Sequence, residues 1–147
     1  GRNGLGQARL PFGRVSGVSD TKSPKMVRKA FEDELESIMQ MDINTQEYWN
    51  GMNQMVEWLN TKTFSTKDAL KILKVPIKSG SQQLKALHIL EVIVNNCNLS
   101  FALEVTTRKW MDRLLKILKE SKDPQVSAKV LSMLQEWERR FASDQRF

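Results

Sequence analysis

Apolar residues recur at helical spacing along most of this chain. Val27, Phe31, Leu35 and Ile38 follow one another at intervals of four, four and three residues, which places them on one face of a helix. No segment alternates convincingly with period two, and the β-branched run 89–94 lies inside a longer helical pattern. Three further stripes predict helices: Tyr48, Met52, Met55, Val56 and Leu59; Trp110, Met111, Leu114, Leu115 and Leu118; and Val126, Val130, Leu134, Trp137 and Phe141.

Capping residues mark where these helices begin. A short helix that starts after Ser65 is expected to end or kink at Pro76, because proline lacks a backbone N–H. We predict six or seven helices of about 8–20 residues, packed as an α-solenoid or bundle. The predicted caps are Ser23 before Pro24, Thr45, Ser65 with Asp68, Ser81, Thr106 or Thr107, and Asp123 before Pro124.

The segment 84–101 is the most apolar stretch and holds the only histidine and the only cysteine. On a helical wheel of residues 84–97, the polar side chains fall within one arc of about 140°. A helix that is apolar around the rest of its circumference contacts neighbours on several sides, so we predict the central helix of the domain. The polar arc contains Lys85, His88, Glu91, Asn95 and Asn96, and Val92 shares it.

His88 and Cys97 are the obvious candidates for chemistry, and neither fits a reactive site. A metal site needs three or four ligands, and the chain has no second histidine. Cys97 lies on the apolar side of the predicted helix, away from His88, so we predict a packing role rather than a nucleophile. Glycine-rich phosphate loops and the common hydrolase and zinc motifs are absent from the sequence. We therefore expect no enzyme, no metal and no cofactor, but a helical binding module.

The basic charge is concentrated at the start of the chain. Residues 1–30 carry seven basic side chains and one acid, a net charge of +6, and the remaining 117 residues sum to zero. Residues 1–22 contain five of the seven glycines and show no period, which predicts a flexible basic extension. Such an extension can contact phosphates of lipid or nucleic acid, or serve only to increase solubility. We predict a helical domain over 23–143 and a short tail over 144–147.

Cysteine content and hydropathy bear on the compartment. A single cysteine cannot form an internal disulfide, which fits a reducing environment. No window approaches the roughly 18 apolar residues that span a bilayer, and the first twenty residues lack the apolar core of a signal peptide.

Residues 86–105, ALHILEVIVNNCNLSFALEV, resemble the central signature of VHS domains: A-L-x-L-L-E/D, then V-x-N-C-G, then F-x-x-E-V. Asn98 stands at the usual glycine, and we expect it to keep the helix cap because both residues tolerate positive φ. Upstream, YWNGMNQMVEWLN resembles the second helix of the family. KWMDRLLKIL and VLSMLQEWERRF resemble its sixth and seventh helices, so the resemblance covers roughly 27–141.

The resemblance implies an all-α, right-handed superhelix of seven to eight helices, related to ENTH domains, with an eighth helix that is short or missing here. It further implies a non-enzymatic adaptor module in vesicular and endosomal protein sorting. Such a module is cytoplasmic, peripheral on endosomal or Golgi membranes, and a partner of other trafficking adaptors.

The first ligand that the resemblance implies is ubiquitin or ubiquitinated cargo, bound weakly on the second helix. The tryptophan used by the family matches Trp49, and the leucine four residues later is replaced by Asn53. We predict that both side chains reach the surface edge and that Met52 completes the site. The lost leucine removes an apolar contact of about 1–2 kcal/mol.

Three alternatives remain open. An anionic membrane or phosphoinositide headgroup can bind Lys22, Lys25, Arg28 and Lys29, at about 1 kcal/mol per residue. Acidic-dileucine signals bind related domains between the sixth and eighth helices. Related domains that bind the RNA polymerase II tail favour a basic groove on the body, whereas the body of this chain is neutral in sum. Nucleic acid is not expected as a partner. The side chain of Trp58 is expected either to bind a protein partner or to pack against an adjacent helix.

Overall fold

The computed structural model describes residues 23–142, and within this range the chain forms α-helices and no strand. The all-α prediction is confirmed. Three predictions fall outside the described residues: the extension 1–22, the tail 144–147 and any eighth helix. The helices are α1 (Pro24–Met39), α2 (Gln46–Asn60), α3 (Thr66–Lys78), α4 (Gln83–Asn96), α5 (Leu99–Val105), α6 (Arg108–Glu120) and α7 (Pro124–Ala142). In this part of the chain, no helix combines the length and the apolar character that crossing a bilayer requires.

The capping residues act as predicted at five helices. The Ser23 hydroxyl accepts a hydrogen bond from the Met26 N–H at 3.2 Å, and Asp123 Oδ1 accepts one from the Gln125 N–H at 2.9 Å. Each bond satisfies a backbone donor that the first helical turn leaves without a partner. The other three caps are Thr45, Ser65 and Thr107.

At the junction between α3 and α4, the predicted end of α3 at Pro76 and the predicted cap at Ser81 are both wrong. Helix α3 does not end at Pro76 but continues to Lys78. Proline in the last turn removes only one intrahelical bond, so the helix tolerates it there. Ser81 does not cap α4, which starts after Gln82 without a side-chain cap. The Gln83 side chain turns back instead and donates to the carbonyls of Ile77 (2.8 Å) and Lys78 (3.1 Å), which closes the end of α3.

The role predicted for Asn98 is also wrong. Its φ is −73°, so it does not form a left-handed helix cap. The chain leaves α4 through extended Cys97, and Asn98 begins α5 by accepting a hydrogen bond from the Ser100 N–H at 3.2 Å. Asn60 at the end of α2 holds this junction, because its amide accepts from the Asn98 N–H at 2.9 Å and donates to the Asn96 carbonyl at 3.2 Å.

Helix α4 is the central helix, as predicted. It contacts α2, α3 and α7, and Val92 is buried with the apolar side although the wheel places it in the polar arc. The polar side chains of this arc form hydrogen bonds and an ion pair with neighbouring segments. Lys85 donates to the carbonyl of Met41, Glu91 pairs with Lys129 of α7, and Asn95 Oδ1 accepts from Arg140 at 2.6 Å.

One apolar side chain departs from its predicted stripe, and the structure decides between the two roles considered for another. Leu115 is 44% exposed, because the contacts of α6 with α5 and α7 centre its buried face on Trp110, Leu114 and Ile117 instead. Trp58 is buried and its ring lies 6.4 Å from that of Phe31, so it covers helix α1. Of the two roles considered for Trp58, the structure supports packing against an adjacent helix.

Candidate partner-binding site on helix α2

The three predicted binding residues of α2 do not form one exposed surface. Met52 has no exposed surface, Asn53 is only 6% exposed, and Trp49 is partly buried. The prediction that Asn53 reaches the surface edge is therefore wrong. Helix α2 packs against both α1 and α4, so its buried arc is wider than the apolar stripe alone suggests.

Trp49 is held firmly at the start of α2. Its indole N–H donates to the Ile43 carbonyl at 2.7 Å. Its ring meets Tyr48 edge-on, with centroids 5.1 Å apart, and meets His88 of α4 in a similar way at 6.3 Å. These contacts fix one orientation of the indole, and its outer part remains accessible to solvent.

Two further apolar residues of the α1–α2 loop are partly exposed. Met41 and Ile43 pack against the core from this loop. We refer to Met41, Ile43 and Trp49 as the α2 patch. The Lys85 ammonium donates to the main-chain carbonyls of Met39 and Met41 and so ties the loop to α4. Sequence reasoning missed the two loop residues, because they belong to no helical stripe; two apolar residues within a short polar connection were the only signal.

The segment that forms the α2 patch carries acids and no basic residue of its own. Between residues 30 and 61 the chain has no basic residue. A shallow depression of about 510 Å³ lies beside the patch and is lined by Met41, Glu34, Glu47 and Asn53. Burial raises the pKa of Glu34 above its ordinary value. The acids of residues 30–61 are Glu32, Asp33, Glu34, Glu36, Asp42, Glu47 and Glu57.

His88 lies behind Trp49 and acts as a packing residue. Its ring stacks on Tyr48, with centroids 6.1 Å apart, and its Nδ1 lies 3.9 Å from Glu91 Oε1. Burial, and then the charge of Lys129, lower the pKa of His88 below its ordinary value, which favours the neutral ring. Within residues 23–142, no three His, Cys, Asp or Glu side chains lie close enough together to hold a metal ion.

Cys97 lies at the end of α4 and packs against the core. Burial raises the pKa of its thiol to about 12. At neutral pH the group is therefore a thiol and not the thiolate that nucleophilic chemistry requires.

Three of the four basic residues predicted for membrane contact lie in the first turns of α1. Lys22 falls outside the described residues, and Lys25 is exposed. Arg28 lies 3.5 Å from Glu32 and 3.9 Å from Asp68, and Lys29 lies 2.9 Å from Asp33. Acids of α1 and α3 thus already face two of the three described cations.

Comparison with known proteins agrees with the resemblance seen in the sequence. The family model for the VHS domain matches residues 26–147. TOM1-like protein 6 of Arabidopsis thaliana is 30% identical over 95 residues, which cover 63% of this chain and 14% of that protein. Vacuolar protein sorting-associated protein 27 of Yarrowia lipolytica is 30% identical over 92 residues, or 60% of this chain and 16% of that protein.

A third relative is the class E vacuolar protein-sorting machinery protein hse1 of Neurospora crassa. It is 27% identical over 103 residues, which cover 68% of this chain and 14% of that protein. The matched region therefore spans about one seventh of the length of these three relatives. No solved structure matches the chain.

Proposed function

Because this chain belongs to the VHS domain family, we propose that it is the partner-binding module of an adaptor in vesicular and endosomal protein sorting. Two of the relatives described above carry vacuolar protein sorting in their names, which supports this role. The module would act by binding rather than by catalysis. Its place would be the cytoplasmic side of endosomal or Golgi membranes, together with other trafficking adaptors.

Ubiquitin, or cargo that carries it, is the ligand that we propose for the α2 patch. The observation that carries the proposal is a fixed, partly exposed tryptophan beside two partly exposed apolar loop residues. Because packing and a hydrogen bond already restrict Trp49, little side-chain entropy is lost when a partner covers it. Asn53 is only 6% exposed, so its amide adds little polar surface beside the patch. The patch is small, and we therefore expect weak affinity.

An NMR titration of the ¹⁵N-labelled chain with ubiquitin tests this proposal. We expect shifts in the α1–α2 loop and the first turns of α2, and their loss in Trp49→Ala and in Met41→Glu. Leu131→Ala is the matched control, because Leu131 is an exposed apolar residue of α7, outside the patch. It should bind like the unmodified chain.

Two results would reject the ubiquitin site. One is the absence of shifts at millimolar ubiquitin, and the other is a shift pattern on other helices that Trp49→Ala leaves intact. Trp49→Ala also removes the donor to the Ile43 carbonyl, so its spectrum is first compared with that of the unmodified chain. Met41→Glu leaves this bond in place and therefore tests the patch even if the alanine variant is disturbed.

An anionic membrane is the second candidate ligand. Helix α1 has no acid in its first turn, which leaves Lys25 and Arg28 near a helix start without a local carboxylate in that turn. Against this, Arg28 and Lys29 already face acids, and a lipid phosphate would have to compete with them. We therefore favour the α2 patch.

A further inference from the structure

Basic side chains of α6 and of the end of α3 line one groove, and further lysines follow on the same face of α3. On α3 the lysines at 67, 71, 74 and 78 recur at intervals of four, three and four, which places them on one helical face. On α6 the basic residues Lys109, Arg113 and Lys116 recur at intervals of four and three. The groove has a volume of about 810 Å³, and its lining includes Lys78 and these three residues of α6.

The groove also has apolar walls. Leu84 of α4, Ile117 of α6 and Val126 of α7 line it between the charged groups. The turn between α3 and α4 forms one rim, and there Gly80 adopts a φ of +108° that a residue with a side chain rarely adopts. A groove of this kind can accept an extended chain that carries both an anion and an apolar side chain.

The cations of the groove lack acidic partners. Among the residues that the structure describes, the lining residues Lys78, Lys109, Arg113 and Lys116 take part in none of the ion pairs, and neither does Lys74 on the preceding turn of α3. The charge of Arg113, followed by burial and the charge of Lys109, lowers the pKa of Lys74. These positive charges therefore act on one another, and an anion between them would relieve the repulsion.

The acids near the groove are mostly engaged elsewhere. Asp68, the only acid of α3, faces Arg28 of α1 at 3.9 Å. Asp112 pairs with Arg108, and Asp123 caps α7. Glu120, at the end of α6, is the remaining acid in the lining. The lining holds five basic side chains against three acids, Asp112, Glu120 and Asp123, so it keeps a net positive charge.

Arg113 is held in position by an aromatic ring. Its guanidinium carbon lies 4.7 Å from the ring centroid of Trp110, which is buried one turn earlier on α6. A cation–π contact of this kind restrains the side chain and reduces the entropy lost when it binds a ligand. A guanidinium can make two-pronged contact with phosphate oxygens.

We propose that the groove between α3 and α6 binds a phosphorylated peptide segment, with Arg113 and Lys109 on the phosphate and the apolar walls beside a neighbouring side chain of the peptide. A phosphate carries up to two charges and three acceptor oxygens, so one group can engage several cations at once. A flat membrane would reach the outer lysines of α3 more easily than residues that line a concave groove. This site lies on other helices than the α2 patch, so the proposal does not depend on whether the chain binds ubiquitin.

A peptide titration tests the proposal on the full chain. The probe is a pool of short phosphoserine peptides with randomised flanking residues, and its unphosphorylated twin is the control. We expect NMR shifts on α3, on α6 and at the α3–α4 turn with the phosphorylated pool alone, and weaker binding as salt is added.

Variants locate the site. Arg113→Gln and Lys78→Gln should each weaken binding about tenfold, because each removes a charge-assisted contact from the lining of the groove. Arg113→Lys should recover part of the loss, since it restores the charge but not the planar fork. Lys119→Gln is the matched control, a lysine of α6 outside the groove, and it should leave binding unchanged.

Three results would overturn the proposal. No shift at millimolar phosphorylated pool would remove it. Equal binding of a pool with glutamate in place of phosphoserine would show that carboxylates suffice. Binding to phosphatidylserine vesicles that Arg113→Gln abolishes, without binding to the peptide pool, would assign the groove to a membrane surface. Circular dichroism of each variant confirms that the helices are retained.

Discussion

Helices α4 and α6 use their polar side chains in opposite ways. On α4 the polar residues bond to other segments of the domain: Lys85 to the α1–α2 loop, and Glu91 and Asn95 to α7. On α6 the basic residues that line the groove make no ion pair among the described residues. The difference shows that a polar stripe next to a core indicates internal bonding in one helix and an available surface in another. Which of the two applies depends on the neighbours of the helix.

Truncating an apolar side chain should give the largest difference in stability between a variant in α4 and a variant in α6. Leu90→Ala on α4 removes a fully buried side chain and should destabilise the domain by about 2–5 kcal/mol. Leu115→Ala on α6 removes an exposed side chain and should change stability by less than about 0.5 kcal/mol. Urea denaturation followed by circular dichroism measures both. Equal losses would show that α4 is not the centre of the core.

The coupling energies of ion pairs should also be larger on α4 than on α6, but by less than the effect of removing apolar side chains. Glu91 and Lys129 are about one-fifth exposed, and we expect their double-mutant cycle to give a coupling of about 1–2 kcal/mol. Arg108 and Asp112 on α6 are largely exposed, so the same cycle should give less than about 0.5 kcal/mol. If both couplings were negligible, the polar stripe of α4 would not stabilise the fold.

Titration of His88 should give the smallest of the three effects. Because burial and the Lys129 charge lower its pKa below 6.5 in the folded state, the unfolded chain binds its proton more readily. The contribution of His88 is therefore fully present above pH 6.5 and lost as pH falls through the folded pKa. NMR of this single histidine gives the pKa directly. A midpoint at or above 6.5 would contradict the buried, neutral role.

Part of this pH dependence can be assigned by substitution. His88→Gln should show a flatter dependence of the urea midpoint below pH 6.5 than the unmodified chain. Glu34, whose pKa is raised by burial, titrates in both proteins and serves as an internal reference. Identical pH profiles would mean that other groups cause the dependence.

Local signals in the sequence predicted the helices well, because their causes are local. The spacing of apolar residues and the caps at Ser23, Thr45 and Thr107 act within one or two turns. The predictions failed where contacts with another segment of the chain determine the local structure. Gln83, rather than Ser81, organises the α3–α4 junction because its amide reaches back to the end of α3. Leu115 is exposed because of where α5 and α7 contact α6.

The candidate sites depend even more on tertiary packing. Asn53 is buried because α2 lies against both α1 and α4, which no pattern within α2 reveals. The neutral charge sum after residue 30 also conceals a separation of charge. All charged residues between 30 and 61 are acids, whereas residues 62–85 include six lysines and the single acid Asp68. The α3 lysines are visible in the sequence, but their position opposite α6 follows only from the fold.

The position of α4 has a consequence for how the chain acquires its structure. Its partners α2 and α7 lie on opposite sides of it in the sequence, so the contacts of α4 are not confined to adjacent helices. In a simple repeat array each unit folds on its neighbours and can do so in steps. Here the apolar surface of α4 stays incompletely covered until α7 has left the ribosome. The domain should therefore fold as one cooperative unit, and a nascent chain that stops before α7 should engage chaperones.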